Sequence, residues 1–143
     1  MFGDNGIYGK SYHTMDTKNR VIIPKDTCVE DKEQMCFYKE NEITFSIYSL
    51  KTIKKEILRL KTRIQRCKHE DIEKNQKVLN DFIMRIIDYT HVDAQRRMVI
   101  PIDIVNEYKL EKNLIFHGGS DHLKIFKDEE TYDKYVKSLK KGN

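Results

Sequence analysis

At 143 residues the chain is long enough for one compact domain, or for two very small ones that share a core. Hydrophobic residues make up 38% and charged residues 35%, and the apolar ones come in periodic clusters, which excludes a chain disordered throughout. The formal net charge of +4 is too small to demand a polyanionic partner, yet the charge is segregated: residues 26–42 hold six acids against two lysines, and residues 51–68 hold eight basic residues against one acid.

No stretch approaches the roughly 20 apolar residues of a membrane-spanning helix. The amino terminus, MFGDNGIYGK, lacks the basic-then-apolar layout of a secretory leader, so a cytoplasmic protein with no membrane partner is expected. A strand around Tyr12 runs into DTKNRVIIP (16–24), a polar turn followed by a second strand. A turn through Lys39, Glu40 and Asn41 then leads to Ile43, Phe45 and Ile47, which alternate with polar residues as a half-buried strand does. Leu50, Ile53, Ile57, Leu60, Ile64 and Cys67 follow with three–four spacing, one apolar seam of a helix for which Ser49 is a suitable N-cap. A second helical stretch carries Ile72, Leu79, Phe82, Ile83, Ile86 and Ile87 on one side, so the pair reads as a connecting hairpin packed on a β core or a neighbouring subunit. Beyond it come Tyr89, then DAQRRMVIP (93–101), a turn through His117, Gly118, Gly119 and Ser120, and apolar Leu123, Ile125 and Phe126. A charged helix from near Asp128, with Tyr132 and Tyr135 on it, ends the chain.

The two nine-residue segments are copies, 77 residues apart. Aspartate, arginine, isoleucine and proline coincide, and each copy takes one of the only two prolines. Tyr12 matches Tyr89, and Tyr48 is matched with Phe126. Each half therefore reads as strand, tight turn, strand, short helix, strand, turn, strand. A unit this short cannot bury a core alone, but two in one chain can bury their faces against each other. The expected class is α+β and β-rich, with modules at 7–48 and 89–136 and a helical connector at 49–88.

No constellation in the sequence supports catalysis. His13, His69, His91, His117 and His122 lack metal-ligand spacing, and Ser120, Asp121 and His122 are merely adjacent. Cys28, Cys36 and Cys67 are odd in number without a CxxC pair, so neither disulfides nor metal are expected. Gly118 and Gly119 lack the GK[ST] of a phosphate loop and fit a hairpin turn better. The turns between aspartate and arginine are different, because they project cations from a tip: Lys18 and Arg20 at the first, Arg96 and Arg97 at the second. Guanidinium groups bind phosphates through paired hydrogen bonds and read guanine edges, and a two-stranded ribbon fits the major groove. The plainer reading is that Asp16 braces Arg20 and Asp93 braces Arg97, and one arginine can do both. The basic face of the first central helix, Lys51, Lys54, Lys55, Arg59, Arg63 and Arg66, is read as a solvated face.

GKSYHTMDTKNRVIIP, YTHVDAQRRMVIP and the late KNLIFHGGSDHLKIF resemble, in order and spacing over roughly residues 7–136, the MraZ family of bacterial transcription regulators. The resemblance implies a duplicated, AbrB-like swapped-hairpin β-barrel with a central helical hairpin and a C-terminal helix, assembled as a ring-shaped homo-oligomer. It implies a nucleoid-associated protein that binds double-stranded DNA at short direct repeats upstream of the division and cell-wall gene cluster, its own promoter included. Cofactor and small-molecule substrate are not implied. In the family the arginine of the first motif is a DNA-binding determinant, which falls on Arg20, with Lys18 beside it. Asp16, Asp93 and Arg97 match the motif's other fixed positions. The DNA-contacting set is thus Lys18, Asn19, Arg20, Gln95, Arg96 and Arg97, with Asp16, Asp93, Pro24 and Pro101 bracing the turns. The family commonly has glycine before each motif arginine, where this chain has Asn19 and Arg96. Asparagine tolerates a left-handed backbone fairly well and arginine poorly, so an altered second turn is expected. The competing readings are an antitoxin-type module that pairs with a protein, an oligomeric scaffold whose basic helix binds RNA or acidic proteins, and an enzyme.

Overall fold

A computed structural model describes residues 8–25, 27–30 and 32–141. Residues 1–7, part of the stretch read for a leader and the start of the first module, lie outside these, as do Asp26 and Asp31 of the acidic stretch. Eight strands and four α-helices run β1 (Gly9–Thr14), β2 (Arg20–Ile22), β3 (Gln34–Lys39), β4 (Phe45–Ser49), α1 (Leu50–Arg66), α2 (Ile72–Met84), β5 (Ile86–His91), β6 (Arg97–Val99), α3 (Ile102–Glu107), β7 (Asn113–Gly118), β8 (His122–Phe126) and α4 (Glu129–Lys141), with a 3-10 turn at His69–Asp71.

Six strands form one antiparallel sheet in the order β1-β7-β8-β4-β3-β5, and β2 and β6 form a separate two-stranded ribbon. The two halves exchange strands. β1 of the first half pairs with β7 of the second, Tyr12 opposite Ile115, while β5 of the second pairs with β3 of the first, Cys36 opposite Tyr89. The class is α+β, as the sequence implied.

The period-two alternation of each strand builds the layers. Met35, Phe37, Phe45, Ile47, Leu114, Phe116, Leu123 and Ile125 point to one face, where the ribbon's Val21, Ile23, Met98 and Ile100 and the helical Ile104 close the main core. The opposite face of the sheet carries Cys36 and Tyr38, covered by Ile53 of α1, with Ile57, Phe82 and Ile86 packed around them. Phe126 on that face is covered by Tyr132 and Tyr135 of α4. Ser49 caps α1 as expected, its hydroxyl accepting the Thr52 N–H at 3.0 Å.

Three local expectations are corrected. The helix expected after each motif proline is seen, among the described residues, in the second copy alone, as α3. There Ile104, Val105 and Tyr108 supply a stripe that packs on the core, whereas the first copy has only Cys28 and Val29 and no helical period. Ile86 and Ile87 belong to β5 rather than to the second helix: a short β-branched run satisfies both periods, and pairing with β3 decides for strand. Ile43 lies before β4 rather than in it, in the turn where the Asn41 side chain accepts the N–H groups of Ile43 and Thr44.

Phe45 is fully buried, with ring centroids 4.9 Å from Tyr108 and 6.0 Å from Phe37. Phe45→Ala should lower unfolding free energy by about 3–5 kcal/mol. A urea titration checks this, the midpoint falling while the slope stays unchanged.

Candidate nucleic-acid interface

The two turns between aspartate and arginine are built alike. In the first, the Asn19 N–H donates to the Asp16 carbonyl at 3.0 Å and the Asp16 N–H to the Arg20 carbonyl at 2.9 Å. In the second, Arg96 and Asp93 and then Asp93 and Arg97 repeat these bonds at 3.0 and 2.9 Å. Asp16 Oδ1 accepts the backbone N–H groups of Lys18 and Arg20, each at 2.9 Å, and Oδ2 accepts Arg20 Nε at 2.8 Å. Asp93 does the same with the Gln95 and Arg97 N–H groups at 2.9 and 2.8 Å and with Arg97 Nε at 2.8 Å. The arginine N–H that each accepts, followed by the guanidinium and the other turn N–H, holds both carboxyls below the ordinary aspartate range. In both copies, then, the aspartate bonds the arginine four residues on. Because the brace uses Nε, the terminal Nη groups of Arg20 and Arg97 have no partner among the described residues, and remain available for a paired bond to an anion or a base edge.

The turn shape requires a left-handed residue just before each arginine: Asn19 has φ 61° and Arg96 φ 65°. The expected alteration of the second turn is absent. Arginine at such a φ costs about 1–2 kcal/mol, and its side chain makes bonds that offset this. Arg96 Nε donates to the Ile23 carbonyl at 3.1 Å, Nη1 to Val29 at 2.8 Å and Nη2 to Pro24 at 2.5 Å. Arg96 is only 7% exposed. The expectation that it projects a cation from the second tip is thus corrected, because its guanidinium is turned inward onto the Ile23, Pro24 and Val29 carbonyls. Of the other expected contact residues at the tips, Lys18 and Gln95 are exposed and Asn19 is half-buried. Pro24 and Pro101 follow the ribbon strands, Pro101 at the N-cap of α3.

β2 and β6 carry the arginines onto one surface. Arg20 pairs with Val99, Val21 with Met98 and Ile22 with Arg97, and the bonds Ile23 N–H to Arg96 carbonyl (2.7 Å) and Ile100 N–H to Asn19 carbonyl (2.8 Å) extend the ribbon at both ends. With the odd-numbered Val21 and Ile23 and the even-numbered Met98 and Ile100 buried, Arg20, Ile22, Arg97 and Val99 all face outward. Ile22 is 63% and Val99 48% exposed. Sequence reasoning missed this apolar pair, although the alternation in RVIIP and RMVIP carries the signal.

Other candidate groups do not assemble. His122 Nδ1 meets Asp121 Oδ1 at 2.8 Å, but its Nε2 faces Lys124 Nζ at 3.0 Å rather than Ser120. The Gly119 N–H donates to the His122 carbonyl at 2.8 Å, closing the β7–β8 hairpin. No group of three or more histidines, cysteines or acids among the described residues could hold a metal ion, and no described helix is long and apolar enough to cross a membrane. The three cysteines are free thiols, and burial pushes those of Cys28 and Cys36 up to about 11. On α1, Lys51, Lys54, Lys55, Arg59, Arg63 and Arg66 are all exposed, and among the described residues only Arg59 is ion-paired, to Glu56 at 2.7 Å. This face lies across the large sheet from the ribbon.

A family model described as "MraZ protein, putative antitoxin-like" matches residues 88–143, the second copy and the C-terminal helix. The transcriptional regulator MraZ of Caldanaerobacter subterraneus subsp. tengcongensis is 30% identical over 132 residues, covering 92% of this chain and 87% of that protein. Those of Thermoanaerobacter sp. (strain X514) and Thermoanaerobacter pseudethanolicus are 29% and 28% identical over 129 residues, covering 90% of this chain and 85% of each relative.

The buried arginine gives a test of this geometry. Arg96→Gly keeps the left-handed turn but removes the guanidinium donors from the Ile23 and Val29 carbonyls, the Pro24 carbonyl still accepting the Thr27 hydroxyl at 2.9 Å, so it should cost about 2–3 kcal/mol. Arg96→Ala should cost roughly 1 kcal/mol more, since only the glycine is free of strain at that φ. Urea melts of both variants measure the order.

Proposed function

The chain belongs to the MraZ family, and from that premise we propose that it is a sequence-specific, DNA-binding transcription regulator rather than an enzyme. Its targets are short repeated elements upstream of a division and cell-wall gene cluster, its own promoter among them. It works in the cytoplasm, associated with the nucleoid, as a ring-shaped homo-oligomer. The observation that carries the reading is the pair of identically braced turns, which deliver Arg20 and Arg97 to one outward ribbon face with their terminal guanidinium donors uncommitted. Lys18, Asn19 and Gln95 at the tips position the ribbon on phosphates, while the two arginines reach base edges. Arg96 drops out of the contacting set because its side chain is buried.

A ring reconciles a net charge of +4 with tight binding. Each ribbon alone makes few phosphate contacts, and such contacts weaken steeply as salt rises. Several ribbons on spaced repeats raise the effective concentration of each later contact and gain ~10²–10⁴ in avidity.

The exposed cations of α1 favour a second reading, an oligomeric scaffold whose basic helix face binds RNA or an acidic protein. Charge reversal at Lys54, Lys55 and Arg59 then abolishes binding and Arg20→Ala does not.

Binding to the DNA upstream of the chain's own gene, at one fixed salt concentration and against scrambled DNA, decides between them. Wild type should prefer the upstream DNA, and Arg20→Ala should lose that preference while staying folded and oligomeric. A wild type without preference leaves the scaffold in front. On DNA cut down to a single repeat, affinity should fall by at least ten-fold; equal affinity for one and several repeats removes the ring from the account.

A further inference from the structure

The outward face of the ribbon is a two-by-two array. Arg20 lies directly across from Val99, and Ile22 across from Arg97, so each arginine has an apolar β-branched neighbour on the other strand. Side chains paired in this way have Cβ atoms about 4.5–5.5 Å apart. The array has approximate two-fold symmetry about the Val21–Met98 pair, and its members correspond through the 77-residue repeat: Arg20 with Arg97, Ile22 with Val99.

Single exposed apolar residues are ordinary on protein surfaces. The comparison of the two copies makes this pair informative. The turn side chains have diverged, Thr17 against Ala94, Lys18 against Gln95, Asn19 against Arg96, and even the buried Val21 against Met98. The outward positions have not diverged in character. Both arginines and both exposed aliphatic groups persist, 63% and 48% exposed, on a face whose other occupants are charged. Strand formation alone does not require this, because threonine is as β-branched as valine and would be better solvated.

Resting on the reading of this protein as a DNA-binding regulator, we propose that Ile22 and Val99 are specificity determinants that take the 5-methyl groups of thymine in the major groove. The groove, about 12 Å wide, admits a two-stranded ribbon, and thymine is the base that shows an apolar group there. The arginine positions are two residues apart in register, roughly 7 Å along the ribbon, against about 3.4 Å per base step along one strand. Guanidinium and aliphatic groups therefore address neighbouring base pairs at once, the arginines taking hydrogen-bond acceptors and Ile22 and Val99 taking methyl groups. An arginine-only ribbon reads guanine and phosphate. This ribbon also separates thymine from cytosine where no hydrogen bond is made.

Deoxyuridine lacks only the methyl group of thymidine, so the test needs no change to the protein. Affinity for the upstream DNA is measured with its thymines intact and with deoxyuridine in their place, at one salt concentration, for wild type and for the Ile22→Ser/Val99→Ser double variant. Wild type should lose about four-fold in affinity for each methyl contacted. The double variant should bind the two DNAs alike, while keeping the wild-type oligomer and a preference over scrambled sequence. Indifference of wild type to the methyl groups, with its preference over scrambled DNA intact, overturns the inference and leaves the regulator reading standing. Undiminished discrimination by the double variant overturns it as well, and dissociation of the oligomer by either single serine substitution assigns the pair to a subunit contact instead. Absence of any preference in wild type brings down the regulator reading itself.

Discussion

The antiparallel pairing of β2 with β6 is the constraint on which the rest depends. These strands are only three residues long each, and they come from opposite halves of the chain. A two-stranded ribbon is marginal in water by itself, and this one persists because its inner face, Val21, Ile23, Met98 and Ile100, is buried in the main core. The same alternation that buries those four turns Arg20, Ile22, Arg97 and Val99 outward. A one-residue slip would reverse both faces together, so the core and the candidate interface specify each other.

Exchange of strands between the halves supports that pairing. With β1 placed on β7 and β5 on β3, the two turns leave opposite edges of one sheet and feed their second strands toward each other across its face. Neither half has a complete sheet without the other, in keeping with the size of each repeat. The large sheet has helices on the face away from the ribbon, α1 and α2 over β3 and β4 and α4 over β8. The ribbon side holds the ribbon and the short α3, whose Ile104 joins the main core, and the basic surface of α1 is kept on the other side.

The duplication is symmetric in its contacts to aspartate and asymmetric behind them. Proline is followed by a helix in the second copy and, among the described residues, by none in the first, where the Arg96 side chain binds. Its guanidinium supplies donors to the Ile23, Pro24 and Val29 carbonyls, groups that a regular helix or strand would otherwise satisfy. A side chain that left-handed geometry disfavours is therefore retained where its reach is useful, and among the described residues Asn19 makes no matching side-chain bonds.

Much of this was readable before any coordinates. The 77-residue repeat, the brace from aspartate to arginine, the Ser49 cap, the α1 seam and the C-terminal helix are local, set by spacing over a few residues, so periodicity and turn chemistry reveal them. What escaped was non-local. Whether Ile86 and Ile87 extend a helix or begin a strand depends on β3, nearly fifty residues earlier, whose open edge takes them. Nothing adjacent to Arg96 shows whether it points to solvent or inward, because its three carbonyl partners lie some seventy residues away. The sequence by itself determined that two matching, arginine-bearing turns exist. Tertiary structure decided that they share one ribbon, which residues line its outer face, and which arginine is withdrawn, since these follow from pairing between distant strands and from burial that only the assembled core imposes.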